Sequence, residues 1–442
     1  MREQALDDAL AAAASALGEG DPVVARARLS PFEPLATTDR QVARSWLELL
    51  RQTPGERLAS GELEVVARSK RILTAFPNDA ELVAIGCDAL IREAERLPPD
   101  QPPPPAGAAH TAVAIVQRCL ESLAQPDRDD SERLGYLQIG LANALRLAHL
   151  YDRAGAAYRA ALKRGPEHGW WWFNYGLLLK AQGDFKEGLA VNDKALAKLG
   201  PERPVLWNIA ICATALGEGK RAMEAYQRLG IPCIVNDAGM PQTRDLPAAQ
   251  VRVASVGPGH AGPTTVPDRA VSFELVWVSP LSPCHGVVQT PTYRQASIDY
   301  GDVVLWDAIP VSMGRSGGRQ VPRFPLLTRL RQGDEYRFRF IALQRRRGAI
   351  EALEGPSLEG GQLFVHRPPE GTEELLYGKL VLPASTDLAT FRQAFTERIQ
   401  SIAGLELVVP EMLEALGDTA AAGKAHTMWR GLERTIEKRR DD

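Results

Sequence analysis

Small residues recur at a fixed interval of 34 positions in the first half of the chain. Ala154, Gly188 and Ala222 follow this interval. Two further sets keep it, one apolar and one largely aromatic: Leu141, Tyr175 and Ile209, and Tyr158, Asn192 and Tyr226. A period of this length is typical of stacked helix–turn–helix units. One such unit cannot bury its own apolar face, so neighbouring units share a continuous core.

Residues 135–230 resemble the tetratricopeptide repeat family, and a more degenerate resemblance covers 37–124. The unit at about 169–202 carries the fullest pattern: Trp172, Gly176, the turn Gly183-Asp184-Phe185, Ala195-Leu196 and Pro201. Asn192 stands where the second helix of this unit usually has an aromatic residue. In the next unit, the turn is Gly-Glu-Gly and Gly230 occupies a position where leucine is usual. The resemblance implies an α-solenoid that binds other proteins.

In this family the first helix of each unit lines a concave groove. The resemblance therefore implies partner-binding roles for Asn143, Arg146, Trp170, Phe173, Asn174, Lys180, Trp207, Asn208 and Ile211. Asparagine side chains can bond a peptide backbone in both directions, and the basic residues could hold a carboxylate. Two alternatives remain open. Trp170, Trp171 and Trp172 could form core or contact the C-terminal part, or the groove could be occupied by residues 240–442 of the same chain.

The 442 residues are too many for one core, and the texture of the sequence changes near residue 236. Five apolar runs bounded by proline and glycine predict strands at 272–278, 301–307, 335–343, 361–367 and 377–383. We therefore predict a multidomain α + β protein. Its parts are a helical repeat domain at 1–235 with a proline-rich loop at 98–105, a linker at 236–268, a β-rich domain at 269–385 and a C-terminal helical segment at 386–442. The alternation at Val251, Val253 and Ser255 leaves open that the linker region contains an irregular strand leading into the β-rich domain.

Residues 311–350 contain ten arginines in a chain whose formal net charge is −3. Alternation along a strand places Arg337 and Arg339 on one face, opposite the aromatic residues. Together with Arg345, Arg346 and Arg347, this face could bind phosphates, which would favour a nucleic-acid-associated regulator. The alternative is a solvated strand face paired with nearby acidic residues, and an anionic protein partner would suit the patch equally well.

Residues 270–385 offer little sign of catalysis. Cys284 and His285 are adjacent, so in an extended chain they point to opposite faces and cannot act as a dyad with each other. Asp302 and Asp307 lie five positions apart and diverge in the same way. The sequence has no HExxH motif and no metal-ligand spacing of cysteine and histidine. We therefore expect no catalytic residues, metal or cofactor, and an enzyme with an unrecognised site here is the least favoured alternative.

Five scattered cysteines indicate a reducing compartment. The alanine-rich N-terminus follows Glu3, Asp7 and Asp8 rather than a basic segment, so it reads as an amphipathic helix and not as an export signal. The sequence has no run of 18 apolar residues. We expect a cytoplasmic, bacterial, non-enzymatic scaffold or adaptor that does not bind a membrane.

Overall fold

A computed structural model describes residues 2–98, 101–123, 130–256, 272–293, 295–346, 348–353, 360–366 and 375–441. The chain forms two compact units, Met1–Ile231 (unit 1) and Pro232–Asp442 (unit 2). Residues 257–268 of the predicted linker, residues 99 and 100 of the predicted proline-rich loop, and Arg347 lie outside the described residues.

The described residues of unit 1 are almost entirely helical. The helices are α1 (Arg2–Gly18), α2 (Pro22–Leu29), α3 (Arg40–Gln52), α4 (Glu64–Ala75), α5 (Ala80–Ala94), α6 (Ala108–Ser122), α7 (Ser131–Leu147), α8 (Tyr151–Arg164), α9 (Gly169–Gln182), α10 (Phe185–Leu199), α11 (Arg203–Ala215) and α12 (Gly219–Arg228). A 3₁₀ helix at Ser30–Thr37 joins α2 to α3. The described part of the proline-rich loop joins α5 to α6 without helix.

Aspartates fix where many of these helices begin. The side chains of Asp21, Asp39, Asp79, Asp130 and Asp184 each accept a hydrogen bond from a backbone N–H in the first turn of the helix that follows. Such a cap replaces a bond that the helix itself cannot supply. The turns between paired helices contain Gly183 (φ 79°) and Gly217 (φ 73°), in the left-handed region that favours glycine.

The 34-residue period corresponds to close approaches between helices. Ala154 and Ala222 are completely buried, as are the aromatic residues Tyr158 and Tyr226. A Cβ atom added to Gly176 would come within 2.9 Å of Asn192 Cγ. The close packing of α9 against α10 at this point therefore requires glycine at position 176. Each helix of α7–α12 packs against the next in chain order. The repeat therefore builds a continuous core, because small residues recur where backbones approach.

The first part of unit 2 is a sheet that closes on itself. The described strands β3 (Ala249–Val256), β4 (Ser272–Ser282), β5 (His285–Val288), β7 (Val303–Trp306) and β9 (Arg319–Arg331) pair in this order, and β3 also pairs with β9 in parallel. We call these five strands the closed sheet. Shorter strands flank it: β1 (Ile234–Val235), β2 (Pro241–Gln242), β6 (Gln295–Ala296) and β8 (Ser312–Ser316). Its interior includes Val251, Val253, Val276 and Trp306.

The prediction of a linker at 236–268 requires correction. Ala249–Val256 is a full member of the closed sheet, hydrogen-bonded to β4 on one side and to β9 on the other. Val251 and Val253 are completely buried. The alternation of these valines is short and is flanked by glycine and proline, so it indicated an irregular lead-in strand at most and not a strand enclosed by two distant ones.

The second part of unit 2 is an open antiparallel sheet. Among the described residues, its strands are β10 (Tyr336–Gln344), β11 (Gln362–His366), β12 (Leu375–Leu382) and β13 (Leu405–Val408), in the order β11-β12-β10-β13. Helix α13 (Leu388–Ser401) covers one face, where Phe391 and Phe395 pack with Phe338 and Phe340. After α14 (Pro410–Ala415), helix α15 (Thr419–Asp441) covers part of the other face through Ala425 and Leu432.

The boundary predicted between a β-rich domain at 269–385 and a helical segment at 386–442 also requires correction. Strand β13 lies within the predicted helical segment and pairs with β10 across Ile341–Gln344. Helices α13 and α15 pack on the two faces of the same sheet. Strand β13 and helices α13 and α15 therefore belong to the same structure as the open sheet, and they do not form a separate helical segment. The strand has only four residues, too few for a clear alternation between Gly404 and Pro410.

Candidate functional site

The most exposed large aromatic residues of unit 1 lie on the first helices of successive pairs. Tyr136 on α7 and Trp170 on α9 are each 46% exposed, and they occupy equivalent positions 34 residues apart. Trp170 packs edge-to-face against Phe173, with ring centroids 5.5 Å apart. We call Tyr136, Trp170 and Phe173 the aromatic face. The contact of Trp170 with Phe173 and the repetition of an exposed aromatic residue at 34 positions make this face a candidate binding surface.

Trp171 fixes the aromatic face from beneath. It is 6% exposed and lies edge-on to Tyr136, with ring centroids 5.3 Å apart. Gly135 and Gly165 leave room for its ring, since an added Cβ would lie 2.9 Å and 2.6 Å from Trp171 atoms, respectively. Trp171 is thus a core residue, in agreement with one of the alternatives that the sequence left open.

The neighbouring Trp172 is half-buried and fully engaged within unit 1. Its indole N–H donates to the carbonyl of Pro166 at 2.8 Å, and the ammonium group of Lys194 lies 4.3 Å from its ring centroid. Of the three consecutive tryptophans, Trp170 is therefore the one whose side chain is largely in solvent. Asn174 is half-buried beside this region.

Lys180 and Asn208 lie inside the array rather than on its surface. Lys180 is 5% exposed, and its ammonium group donates to Asn208 Oδ1 at 3.0 Å. Asn208 donates to Asn192 Oδ1 at 3.3 Å, and Asn192 donates to the carbonyl of Gly188 at 2.7 Å. The prediction that Lys180 and Asn208 line a groove is corrected here. Asn192 is smaller than the usual aromatic residue, and the amide–ammonium chain uses that space.

Asn143 and Arg146 lie at the corresponding place in the preceding helix pair, α7 and α8, and contact residues of unit 1. Tyr158 donates its hydroxyl hydrogen to Asn143 Oδ1 at 2.5 Å. Burial raises the pKa of the Tyr158 hydroxyl, and the Arg146 guanidinium offsets part of that rise. Arg146 also lies 3.8 Å from a carboxylate oxygen of Glu95. Both residues are half-buried, so their main contacts are with their own unit.

Trp207 occupies the position equivalent to Phe173 on the next first helix. Its ring lies edge-on to Tyr226, with centroids 5.9 Å apart, and it is half-buried. Ile211, one turn further along, is completely buried. Of the predicted groove residues, Trp170 is exposed, and five are half-buried: Asn143, Arg146, Phe173, Asn174 and Trp207. Tyr136 belongs with them by the repeat but was missed, although its spacing from Trp170 was visible in the sequence.

In unit 2, the predicted arginine face meets carboxylates. Arg337 Nη2 lies 3.1 Å from Asp302 Oδ1, and the Asp302 side chain is completely buried. Asp302 also accepts hydrogen bonds from the backbone N–H groups of Gly333 and Asp299, each at 2.9 Å. Asp299 in turn pairs with Lys379 of β12. These ion pairs connect the loop before β7 to the open sheet. They lie on the sheet face that α15 packs against, in the part that α15 does not cover.

The remaining predicted arginines differ in their surroundings. Arg339 pairs with Glu411, and Arg345 lies 2.8 Å from a carboxylate oxygen of Glu406. Arg346 is exposed. The alternation of aromatic and basic residues along β10 is present as predicted, with Phe338 and Phe340 buried opposite Arg337 and Arg339.

A buried serine–histidine pair lies at the turn between β4 and β5. Ser282 Oγ is 2.6 Å from His285 Nδ1, and both side chains are at most 1% exposed. Burial lowers the pKa of His285 to about 4. Cys284 between them is completely buried. A substrate cannot reach these atoms, so the pair stabilises the turn, and the sequence did not single out Ser282.

Within the described ranges, no three histidine, cysteine, aspartate or glutamate side chains cluster as ligands for a metal ion. Among the same residues, every helix is too short or too polar to cross a membrane.

Comparison with known proteins gives weak matches. No family model and no curated protein matches the chain. A crystal structure of MamA has 13% identity and a TM-score of 0.29, covering 37% of this chain and 83% of that one. A second MamA structure has 11% identity and a TM-score of 0.30, covering 51% and 90%. A hypothetical protein from Neisseria gonorrhoeae has 10% identity and a TM-score of 0.19, covering 37% and 94%. TM-scores this low carry no argument about fold or function.

Proposed function

We propose that the protein is a non-enzymatic, cytoplasmic scaffold or adaptor. In this proposal, the aromatic face of unit 1 binds a partner protein or peptide, and unit 2 supplies a second contact surface. The observation that carries the proposal is the exposure of Tyr136 and Trp170 at equivalent positions of successive helix pairs. Aromatic side chains of this kind are the residues that most often dominate protein–protein binding energy.

The binding surface that we propose differs from the groove that the resemblance implied. It centres on Trp170 and Phe173, with Tyr136 on one side and Trp207 on the other. A carboxylate clamp is not part of it, because Lys180 is buried against Asn208. The partner is therefore expected to contribute apolar side chains rather than a free C-terminus.

A nucleic-acid-associated regulator is the weaker alternative. Arg337, Arg339 and Arg345 would have to bind phosphates in that case, and each lies against a carboxylate of the same unit. An incoming phosphate would have to displace Asp302, Glu411 or Glu406. The competition lowers the gain from each contact.

The test compares three forms of the full-length protein as bait in lysate of the source cells. They are the wild type, the double variant Trp170→Ala/Phe173→Ala, and Leu216→Ala as the matched control. Leu216 is 39% exposed in the same array but lies outside the aromatic face. We expect one protein to be captured by the wild type and the control, and to bind the double variant roughly thirtyfold or more less tightly, since a central aromatic contact is worth about 2 kcal/mol or more.

Identical protein sets from all three baits would refute the proposal. The double variant must retain the thermal transition of the wild type, so that a loss of capture cannot be a loss of folding. Crosslinks from Lys194, beside Trp172, to residues of unit 2 would show instead that the chain's own second unit occupies the aromatic face.

A further inference from the structure

A two-stranded ribbon extends beyond the closed sheet in unit 2. It consists of β8 and the beginning of β9, residues 312–323, joined by the turn Gly317-Gly318. Both turn glycines have positive φ, at 55° and 78°, as required by the two-residue turn that matches the twist of paired strands. Strand β3 joins β9 only from Arg323 onward. Among the described residues, the outer edge of β8 therefore pairs with no strand.

The base of the ribbon is held firmly. The backbone N–H of Val311 donates to the carbonyl of Arg323 at 2.8 Å, and Arg323 Nε donates to Gln250 Oε1 of β3 at 3.1 Å. Gly314 makes room for the Arg323 side chain, since an added Cβ would lie 2.7 Å from it. The ribbon is thus anchored to the closed sheet rather than attached by a loop alone.

The two edges of the ribbon are not equivalent. In an antiparallel pair, alternate residues direct their N–H and C=O groups away from the partner strand. Pro322 has no N–H to give to β8, and it lies opposite Met313. Met313 and Arg315 therefore direct their backbone groups outward on β8. The edge of β9 lacks the corresponding donor at Pro322, so β8 offers the better template for a further strand.

The ribbon is basic without internal compensation. Residues 312–323 contain three arginines and no carboxylate. Arg315 and Arg319 are exposed, and within the part of the chain that the structure describes neither forms an ion pair. This separates them from Arg337, Arg339 and Arg345, which are all paired.

Apolar side chains accompany these charges. Ile309 is 74% exposed and Met313 is 52% exposed. Met313 shares a face of β8 with Arg315, because the two are separated by one residue. One strand face thus presents an apolar and a basic side chain in alternation, next to a free row of backbone donors and acceptors.

We propose that the edge of β8 binds an extended acidic peptide segment of a partner protein as an added strand. Its backbone pairs with Met313 and Arg315, a carboxylate lies against Arg315 or Arg319, and an apolar side chain lies against Met313. Strand addition of this kind takes affinity from main-chain hydrogen bonds and specificity from alternate side chains. This assigns the second contact surface of the proposed adaptor and rests on that function for the existence of a partner.

An acidic peptide fits this edge better than a nucleic acid does. A phosphate backbone would use the arginines but would leave the outward N–H and C=O groups of β8 unpaired. It would also bring the exposed Ile309 and Met313 against charge. A peptide strand uses all three features together.

The experiment measures fluorescence anisotropy of a short labelled peptide titrated with the full-length protein. Every second residue of this alternating peptide is by turns glutamate and valine, with threonine between them, so that glutamate and valine share one strand face as Arg315 and Met313 do. A second peptide has proline in place of the central valine, and a short labelled DNA duplex is the third probe. We expect the alternating peptide to bind, the proline peptide to bind several-fold more weakly, and the DNA to bind least. The variant Arg315→Gln should bind the alternating peptide about two- to fivefold more weakly, which is the effect expected from losing an exposed ion pair.

The sharpest variant is Met313→Pro, compared with Met313→Ala. Proline removes the outward N–H but no hydrogen bond between β8 and β9, so the ribbon persists while strand addition is blocked. Alanine keeps the N–H and should weaken binding less. Equal binding of both peptides, no effect of Met313→Pro, or tighter binding of DNA would each overturn the proposal. The variant Trp170→Ala/Phe173→Ala must bind the peptide normally, which separates this surface from the aromatic face of unit 1.

Discussion

The repeat array and the two sheets bury polar side chains in different ways. In the array, Lys180, Asn208 and Asn192 form a chain of ammonium and amide groups on successive helices. In unit 2, two ion pairs connect the closed and the open sheet, Asp302 with Arg337 and Asp299 with Lys379. The array therefore satisfies its polar groups between neighbours, whereas unit 2 uses them to join two separate cores. Removing one of the ion pairs in unit 2 should therefore destabilise a larger part of the structure than removing one hydrogen bond in the array.

The largest effect is expected from Asp302→Ala. This change removes the carboxylate that Arg337 and two backbone N–H groups contact, and leaves the guanidinium, itself only 12% exposed, without its buried partner. Breaking a buried pair in this way costs about 3–5 kcal/mol. We expect the free energy of unfolding of unit 2 to fall by that amount, measured by native-state hydrogen exchange of β10 and β12 amides in urea.

The matched control is Glu406→Ala. Glu406 pairs with Arg345, and both side chains are exposed, at 39% and 62%. An exposed pair contributes about 0–1 kcal/mol, so exchange in unit 2 should change little. Amide exchange in α9–α11 of unit 1 should stay constant in both variants. Similar losses for Asp302→Ala and Glu406→Ala would mean that the ion pairs do not join the sheets as argued.

The same contrast explains what the sequence predicted and what it did not. Contacts in the array repeat at 34 residues, so the small positions and the turn glycines were visible as a pattern. Lys379 and Asp299 are 80 residues apart, and no pattern links them. Strand β3 was predicted only as an irregular alternative to a linker for the same reason, because its valines are buried by strands far away in the chain. Lys180 was misplaced since the family pattern gives a position on a helix but not the small residue, Asn192, that turns the side chain inward.

The second-largest effect is a loss of about 3 kcal/mol in the free energy of unfolding of unit 2 when the pH is lowered. His285 is buried, and burial lowers its pKa from 6.5 to about 4. Between these values the unfolded chain binds a proton that the folded protein does not, so unfolding is favoured as the pH falls. The stability contributed by neutral His285 is complete above pH 6.5 and is lost progressively as the pH falls towards 4. Each pKa unit corresponds to about 1.4 kcal/mol.

The measurement is the free energy of unfolding of unit 2 between pH 7 and pH 4, for the wild type and His285→Gln. Glutamine can still bond Ser282 but does not titrate. The wild type should lose more stability than the variant over this range, while the array in unit 1 loses equal amounts in both proteins. Parallel curves for the two proteins in unit 2 would contradict the assignment of the acid-sensitive step to His285.

The smallest effect is expected when a helical glycine is replaced by alanine. The change in the free energy of unfolding should be positive at one position in unit 2 and negative at one position in unit 1. Alanine is favoured over glycine in a helix by about 1 kcal/mol. Gly423 in α15 is exposed, with no atom within 4 Å of an added Cβ, so Gly423→Ala should stabilise unit 2 by roughly that amount. Gly176 in α9 faces Asn192, which is held by hydrogen bonds to the Gly188 carbonyl and to Asn208.

Gly176→Ala must displace Asn192 or separate α9 from α10, and overpacking of this kind costs about 1–3 kcal/mol. The cost exceeds the gain in helix propensity, so the free energy of unfolding of unit 1 should fall by about 1 kcal/mol. Hydrogen exchange of α9 and α10 amides reports this change, and Gly155→Ala in α8 is the matched control, because its nearest neighbour is the flexible end of Arg159. If Gly176→Ala stabilised unit 1 as Gly155→Ala does, the 34-residue spacing of small residues would not reflect a requirement for close helix packing.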